Sequence, residues 1–235
     1  MNHVRLCGTD DIPPADAIAQ ALRAAWPGVR LDTTRSWYGP RVRAEVILDG
    51  VAVTLDLHHA QGRRRPLAVT TVRASCATRG LALRVLAARS IPSSWSPMRL
   101  PRPSLQALGA IVAPAAIAPV LLDDTALDAL AAVGANPASY PTLDVERDAV
   151  ELSLYGWPGD VASATHLAAL VARITRAVAP AIAAVGGAPE THPEVHALAA
   201  WEARRRRIAL TVVLAVVGMM LVTTTLTAIA MIPTR

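Results

Sequence analysis

The run Ile208–Ile232 carries no charged residue, and its polar members are Thr211, Thr223, Thr224, Thr225 and Thr227. Its 25 residues exceed the roughly 20 that a helix needs to cross a bilayer core. At about 1.5 Å per residue such a helix is ~37 Å long, enough for a ~30 Å core with some tilt. Inside hydrocarbon the backbone has no water to bond, so it must close its own hydrogen bonds, and a helix does that. A helix at the edge of a protein core would show a polar face, and this run has none. The sequence therefore predicts a transmembrane helix over 208–232.

The flanks set its direction. Arg204, Arg205, Arg206 and Arg207 precede the run, and only Arg235 follows it. Positive residues stay on the cytoplasmic side. The expected topology is single-pass and tail-anchored in a bacterial inner membrane, with the N-terminal domain in the cytoplasm. Trp201 falls near the interface, where an amphipathic ring is favoured. Trp201 and Arg204–Arg207 thus form the expected membrane flank, and lipids are the first expected partner. Thr211, Ala215, Gly218 and Thr225 recur at spacings of four, three and seven. Small residues let helix backbones approach in lipid, so this stripe is the candidate face for self-association.

Charge elsewhere is balanced. The net +5 comes mainly from Arg204–Arg207 and Arg235, offset by Glu202; residues 1–200 hold 18 basic against 17 acidic residues. A domain at +1 lacks the basic stripe that nucleic-acid binding uses, so no nucleic-acid partner is expected. All 23 basic residues are Arg and Phe is absent, which reads as the codon usage of a GC-rich bacterial genome. Arg therefore earns no special claim here for not being Lys. Cys7 and Cys76 are too few for a disulfide framework. The six residues before Cys7 are too short for a lipoprotein or secretory signal.

Taken in order, the chain opens with a helical pattern after Pro13-Pro14, with Ile18, Ala21, Leu22 and Ala25 on one face and Asp10 or Asp11 as cap. Pro27-Gly28 ends it. Val42–Leu48 and Val51–Leu57 flank Asp49-Gly50, a dipeptide that tolerates two positive φ angles and so fits a type I′ hairpin. Val51, Val53, Leu55 and Leu57 alternate with polar residues, the mark of a half-buried antiparallel strand. Leu67–Ala74 and Leu81–Ala88 are expected to extend this meander.

Ser104–Leu122 has no charge either, but Pro114 and Pro119 break it, and a second span would invert the arginine cluster. It is expected in the core, with Leu105–Val112 as a short helix or strand and Val120–Leu122 as a strand. Asp123 or Asp124 caps a helix over 125–133. Thr142–Arg147 and Ala149–Tyr155 form a second hairpin pattern. Val161–Val185 places Leu167, Leu170, Val171, Ile174, Val178 and Ile182 on one face. Thr191 and Glu194 have capping-box spacing, so a helix starting there is expected to run unbroken to Ile232.

The expected fold class is α+β: an antiparallel sheet of hairpins packed on a few helices, followed by a single C-terminal transmembrane helix. The expected domains are 1–186, divisible into halves 1–103 and 104–186, then a juxtamembrane helix 187–207 and the span 208–232.

Chemistry-bearing patterns are sparse. His192, Glu194 and His196 resemble a metal group, but zinc needs three or four ligands and no HExxH occurs. Asp123-Asp124 fits a helix cap, and Asp144/Glu146 an exposed strand face. No GxSxG, GxGxxG or GxxxxGK[ST] is present. No catalytic, cofactor-binding or metal residue is assigned. Two functions compete. One is a non-catalytic protein-binding or scaffolding module at the cytoplasmic face of the membrane. The other is a membrane-associated enzyme acting on a lipid or small anionic substrate, with His58, His59 and Arg63–Arg65 as its site.

Overall fold

The computed structural model describes residues 4–8, 12–62, 66–91, 97–134, 139–146, 148–186 and 189–200. Beyond 200 it describes positions 203, 204, 207, 208, 211, 214, 217, 219 and 220, all helical. Trp201, Arg205, Arg206, Ala215, Gly218, Thr225 and most of the run 208–232 lie outside the described residues.

The fold is α+β. In chain order come β1 (Leu6–Cys7), α1 (Ala15–Ala25), β2 (Arg30–Ser36), β3 (Gly39–Leu48), β4 (Val51–Ala60), β5 (Leu67–Ser75), β6 (Ala82–Ala87), β7 (Met98–Arg99) and β8 (Leu108–Ala113). Then follow α2 (Ala118–Leu121), α3 (Asp124–Gly134), β9 (Thr142–Glu146), β10 (Ala149–Tyr155), β11 (Trp157–Pro158) and α4 (Val161–Ala184). A fifth helix, α5, begins at 193.

Nine strands make one antiparallel sheet in the order β2-β3-β4-β5-β10-β9-β6-β8-β7, while β1 and β11 pair separately. The first hairpin forms as the sequence predicts. Asp49 and Gly50 take φ of 50° and 79°, and Val42, Ala44, Val46, Val53, Leu55 and Leu57 are buried. The second hairpin, β9–β10, buries Leu143, Val145, Val150, Leu152 and Leu154 on the same layer. α1 lies over β2 and β3, and α4 crosses β4, β5 and β10, with α2 and α3 packed on α4. One sheet face is thus covered by α1–α4, and the other is open from β3 to β6.

Three expectations are corrected. β2 was not expected: six of its seven residues are exposed, so no apolar alternation marks it, and only pairing with β3 defines it. The meander stops at β5, whose next neighbour is β10, and β6 sits between β9 and β8. The segment Val120–Leu122 is not a strand; Ala118–Leu121 is a helical turn that buries Ala118 and Leu121 against α4.

Ser104–Leu122 packs within the domain, with Leu105, Leu108, Ala110, Ile117 and Leu121 in the main core. Asp123 is the cap of α3, its Oδ1 accepting a hydrogen bond from the Ala126 amide at 2.8 Å. α4 is capped in the same way by Asp160, which accepts from the Ser163 amide at 2.7 Å. Among the described residues α4 is the one helix long and apolar enough to cross a membrane, and half of its apolar window is buried. Its buried stripe, Leu167, Leu170, Val171, Ile174 and Val178, is the spine of the domain core.

Candidate functional site

Two regions stand out: the root of α5 and the open face of the sheet. The root starts at Pro189, buried in a short 3-10 turn, whose neighbour Glu190 lies against Gly80. Gly80 has φ of 81°, and a Cβ there would come within 3.2 Å of the Glu190 backbone. Val195 and Leu198 then bury themselves against Ile111 and Ala113 of β8. Glu194 Oε2 accepts a hydrogen bond from the Ala115 amide at 2.6 Å. The capping-box expectation therefore needs revision, because this bond turns the Glu194 carboxylate toward the turn after β8. Ile111 and Ala113 are the direct cross-strand partners of Arg84 and Ala82. Directly opposed residues share a sheet face, so α5 docks on the side that the other helices leave open.

The membrane-flank residues that are described, Arg204 and Arg207, are helical and exposed, and Thr211 Oγ1 donates to the Arg207 carbonyl at 2.9 Å. Ile208, Leu214, Val217, Met219 and Met220 continue the helix with 47–65% of their surface exposed.

The open sheet face carries charge in transverse rows. Glu45, Thr54, Arg73, Glu151, Asp144 and Arg84 stand opposite one another in turn from β3 to β6. Arg73 reaches Glu151 at 3.7 Å and Arg84 Nε donates to Asp144 at 2.5 Å. In the next row Asp56 forms a bidentate pair with Arg41, which holds the Arg41 guanidinium above its ordinary pKa through those hydrogen bonds. Alternating signs neutralise most of the face.

One part of it is hollow. A cavity of about 790 Å³ lies over β5, β10, β9 and β6, floored by Thr142, Asp144, Ser153 and Arg84 and walled by Leu86, Arg89, Tyr140 and Tyr155. A second cavity of about 860 Å³ adjoins it and shares Ala87, Arg89 and Tyr140. The Arg89 guanidinium sits 5.3 Å from the Tyr140 ring centroid, and the Tyr140 and Tyr155 rings meet edge to face at 6.1 Å. Tyr140 has φ of 41°, a left-handed conformation that costs a bulky residue on the order of 1–3 kcal/mol. Its neighbours hold it there: Ser139 is buried, its carbonyl accepts from the Tyr155 amide at 2.7 Å, and Pro141 is buried.

The expected anion site does not assemble as one unit. His58 projects to the open face beside Asp56, 3.6 Å away, whereas His59 lies against Trp157 with ring centroids 5.2 Å apart. Adjacent residues on a strand face opposite sides, so the two imidazoles cannot share a ligand. Arg63–Arg65 lie outside the described residues. Among the described residues no group of three His, Cys, Asp or Glu could hold a metal ion, and Glu194 of the His192/His196 trio is bonded to Ala115. Cys7 and Cys76 are free thiols. The sequence reasoning missed Arg89, Tyr140 and Tyr155. Two of the chain's three tyrosines in one cavity was the available signal, but 15 positions separate them in sequence.

No family model, curated protein or solved structure matches the chain.

Proposed function

We propose that the chain is a membrane-held binding module: segment 208–232 crosses a bacterial inner membrane and the α+β domain scaffolds a protein partner on the cytoplasmic side. The observation that carries this reading is the root of α5. A free tether would leave the domain to tumble, but Val195 and Leu198 seat the helix on β8 and fix the open sheet face relative to it. The uncharged run that follows Arg204–Arg207 supports the span, and the exposed Ile208, Leu214, Val217, Met219 and Met220 support it at the positions described. The mixed-sign rows on the open face favour a partner with complementary polar groups over nucleic acid. Lipids are the first partner of the helix, and a second copy is the candidate partner for its Thr211, Ala215, Gly218 and Thr225 face.

Membrane fractionation tests the reading. The full chain should stay in the pellet after alkaline carbonate washing, and deletion of 208–232 should release a folded domain to the supernatant. A full chain extracted by carbonate would refute the span. Crosslinking in detergent extract should capture a stoichiometric protein with the intact face. Loss of that product in an Arg73→Glu, Glu151→Arg double exchange, which preserves the internal pair, would locate the interface on the open face.

A further inference from the structure

The cavity on the open face has a polarity of its own. Of its charged lining residues, Arg84 and Asp144 neutralise each other at 2.5 Å. Arg89 is left, and among the described residues it meets no carboxylate; its one contact of note is the Tyr140 ring. The cavity therefore carries a net single positive charge at one wall. Next to it stand two tyrosine rings, each 47% exposed. Thr142 and Ser153 put hydroxyls on the floor, with Ser153 Oγ donating to Glu151 at 3.4 Å. Leu86, Ala87 and Val69 supply apolar contact.

We propose that the cavity bounded by Arg89, Tyr140 and Tyr155 binds a small aromatic anion, its flat ring against the tyrosines and its carboxylate or phosphate on the Arg89 guanidinium. A guanidinium already stacked on a ring is oriented before the ligand arrives, which reduces the ordering that binding requires. A ring packed on a tyrosine face uses the offset or edge contacts that aromatic pairs favour. The hydroxyl floor selects a ligand with polar substituents over a wholly apolar one. The volume, about 790 Å³, lies in the range of small-molecule sites, and the adjoining cavity gives room beyond Arg89 for a longer anionic group. The proposal is independent of the membrane reading, because every residue it uses lies in the domain.

Calorimetry on the full chain in nanodiscs tests it with two probes, adenosine monophosphate and indole-3-acetate, against their neutral counterparts adenosine and indole. Empty nanodiscs give the background. At least one anion should bind tenfold or more tighter than its neutral partner, and Arg89→Gln should remove that preference. Tyr140→Asn tests the ring without disturbing the backbone, since Asn tolerates positive φ. It should weaken the anion and the neutral ring alike by roughly threefold to tenfold. Far-ultraviolet circular dichroism of both variants should match the parent. Equal affinity for anion and neutral ring in the parent, or binding unchanged in a folded Arg89→Gln protein, would overturn the proposal.

Discussion

The Glu194 carboxylate accepts a hydrogen bond from the amide of Ala115, 79 positions earlier in the chain, at 2.6 Å. That bond ties the first turn of α5 to the turn that leaves β8, beside the buried pair Val195 and Leu198. A charge-assisted bond to a backbone amide is worth about 1.5–3 kcal/mol when shielded, and less at an exposed position. Glu194→Ala should therefore lower the local opening free energy of residues 193–200 by about 1 kcal/mol. Leu198→Ala should lower it by about 2–3 kcal/mol through lost burial. Hydrogen exchange would read both: faster exchange confined to 112–118 and 189–200, with the β3–β4 hairpin unchanged. Exchange that accelerates across the whole sheet would show that α5 holds the fold together and does not merely dock on it.

Acid should loosen the domain at two helix caps. Asp123 is held below its ordinary carboxylate pKa of 3.8, first by hydrogen bonds from Arg173 and then by the Ala126 amide. Asp160 is lowered by the Ser163 amide. A folded-state pKa below the unfolded one means that the stabilisation is complete above the unfolded value and is lost as pH falls through the folded value. Melting temperature should thus be flat from neutral pH to about 5 and fall below about 4. Asp123→Asn and Asp160→Asn keep a capping oxygen and remove only the charge, so each should cost less than about 1 kcal/mol at pH 7, where solvent screens these exposed carboxylates, and close to nothing at pH 2. Equal losses at both pH values would assign the effect to packing instead of charge.

Much of this architecture was written in local patterns, and the parts that were not share a cause. Asp49-Gly50 between alternating valines and leucines determines a hairpin by itself, and the stripe Leu167, Leu170, Val171, Ile174 determines a helix. β2 was illegible because six of the seven residues of Arg30–Ser36 are exposed and Leu31 alone packs against the core; its claim to be a strand is the partner beside it. Strand order was illegible for the same reason. Val72 and Leu152 are opposed across β5 and β10, but nothing local to either says so. The site suffered most. His58 and His59 looked like a pair by adjacency, and adjacency on a strand is what separates them. Arg89, Tyr140 and Tyr155 converge only after β9 and β10 insert between β5 and β6.

Cys76 should be a slow thiol. It is half-buried at the end of β5, its amide bonded to the Asp148 carbonyl, and burial together with the Asp148 charge raises its pKa above the ordinary 9.0. The thiolate is the reactive form, so little of it exists at neutral pH. In a Cys7→Ser background, iodoacetamide should modify Cys76 at least tenfold more slowly in the folded protein than in urea. The folded rate should still be climbing at pH 9. A plateau below pH 8 would contradict the raised pKa.

The arginine cluster should decide which way the chain sits. Arg204–Arg207 place four charges in the four residues directly before an uncharged run of 25, and Arg235 is the one charged residue after it. Each buried Arg costs about 2.5–3.5 kcal/mol at the centre of a span, so the cluster marks where the run must stop. Orientation follows the side with more Arg near the span. With the native sequence, protease added to right-side-out membrane vesicles should leave the domain intact, and detergent should expose it. Exchange of Arg204–Arg207 for Ser, with three Arg added after Ile232, should shift a measurable share of molecules to a digested form. The count must not depend on the domain folding on the side where it emerges. The count therefore uses an antibody epitope placed at residue 10, ahead of α1. Digestion of the domain in native right-side-out vesicles would invert the topology proposed for it.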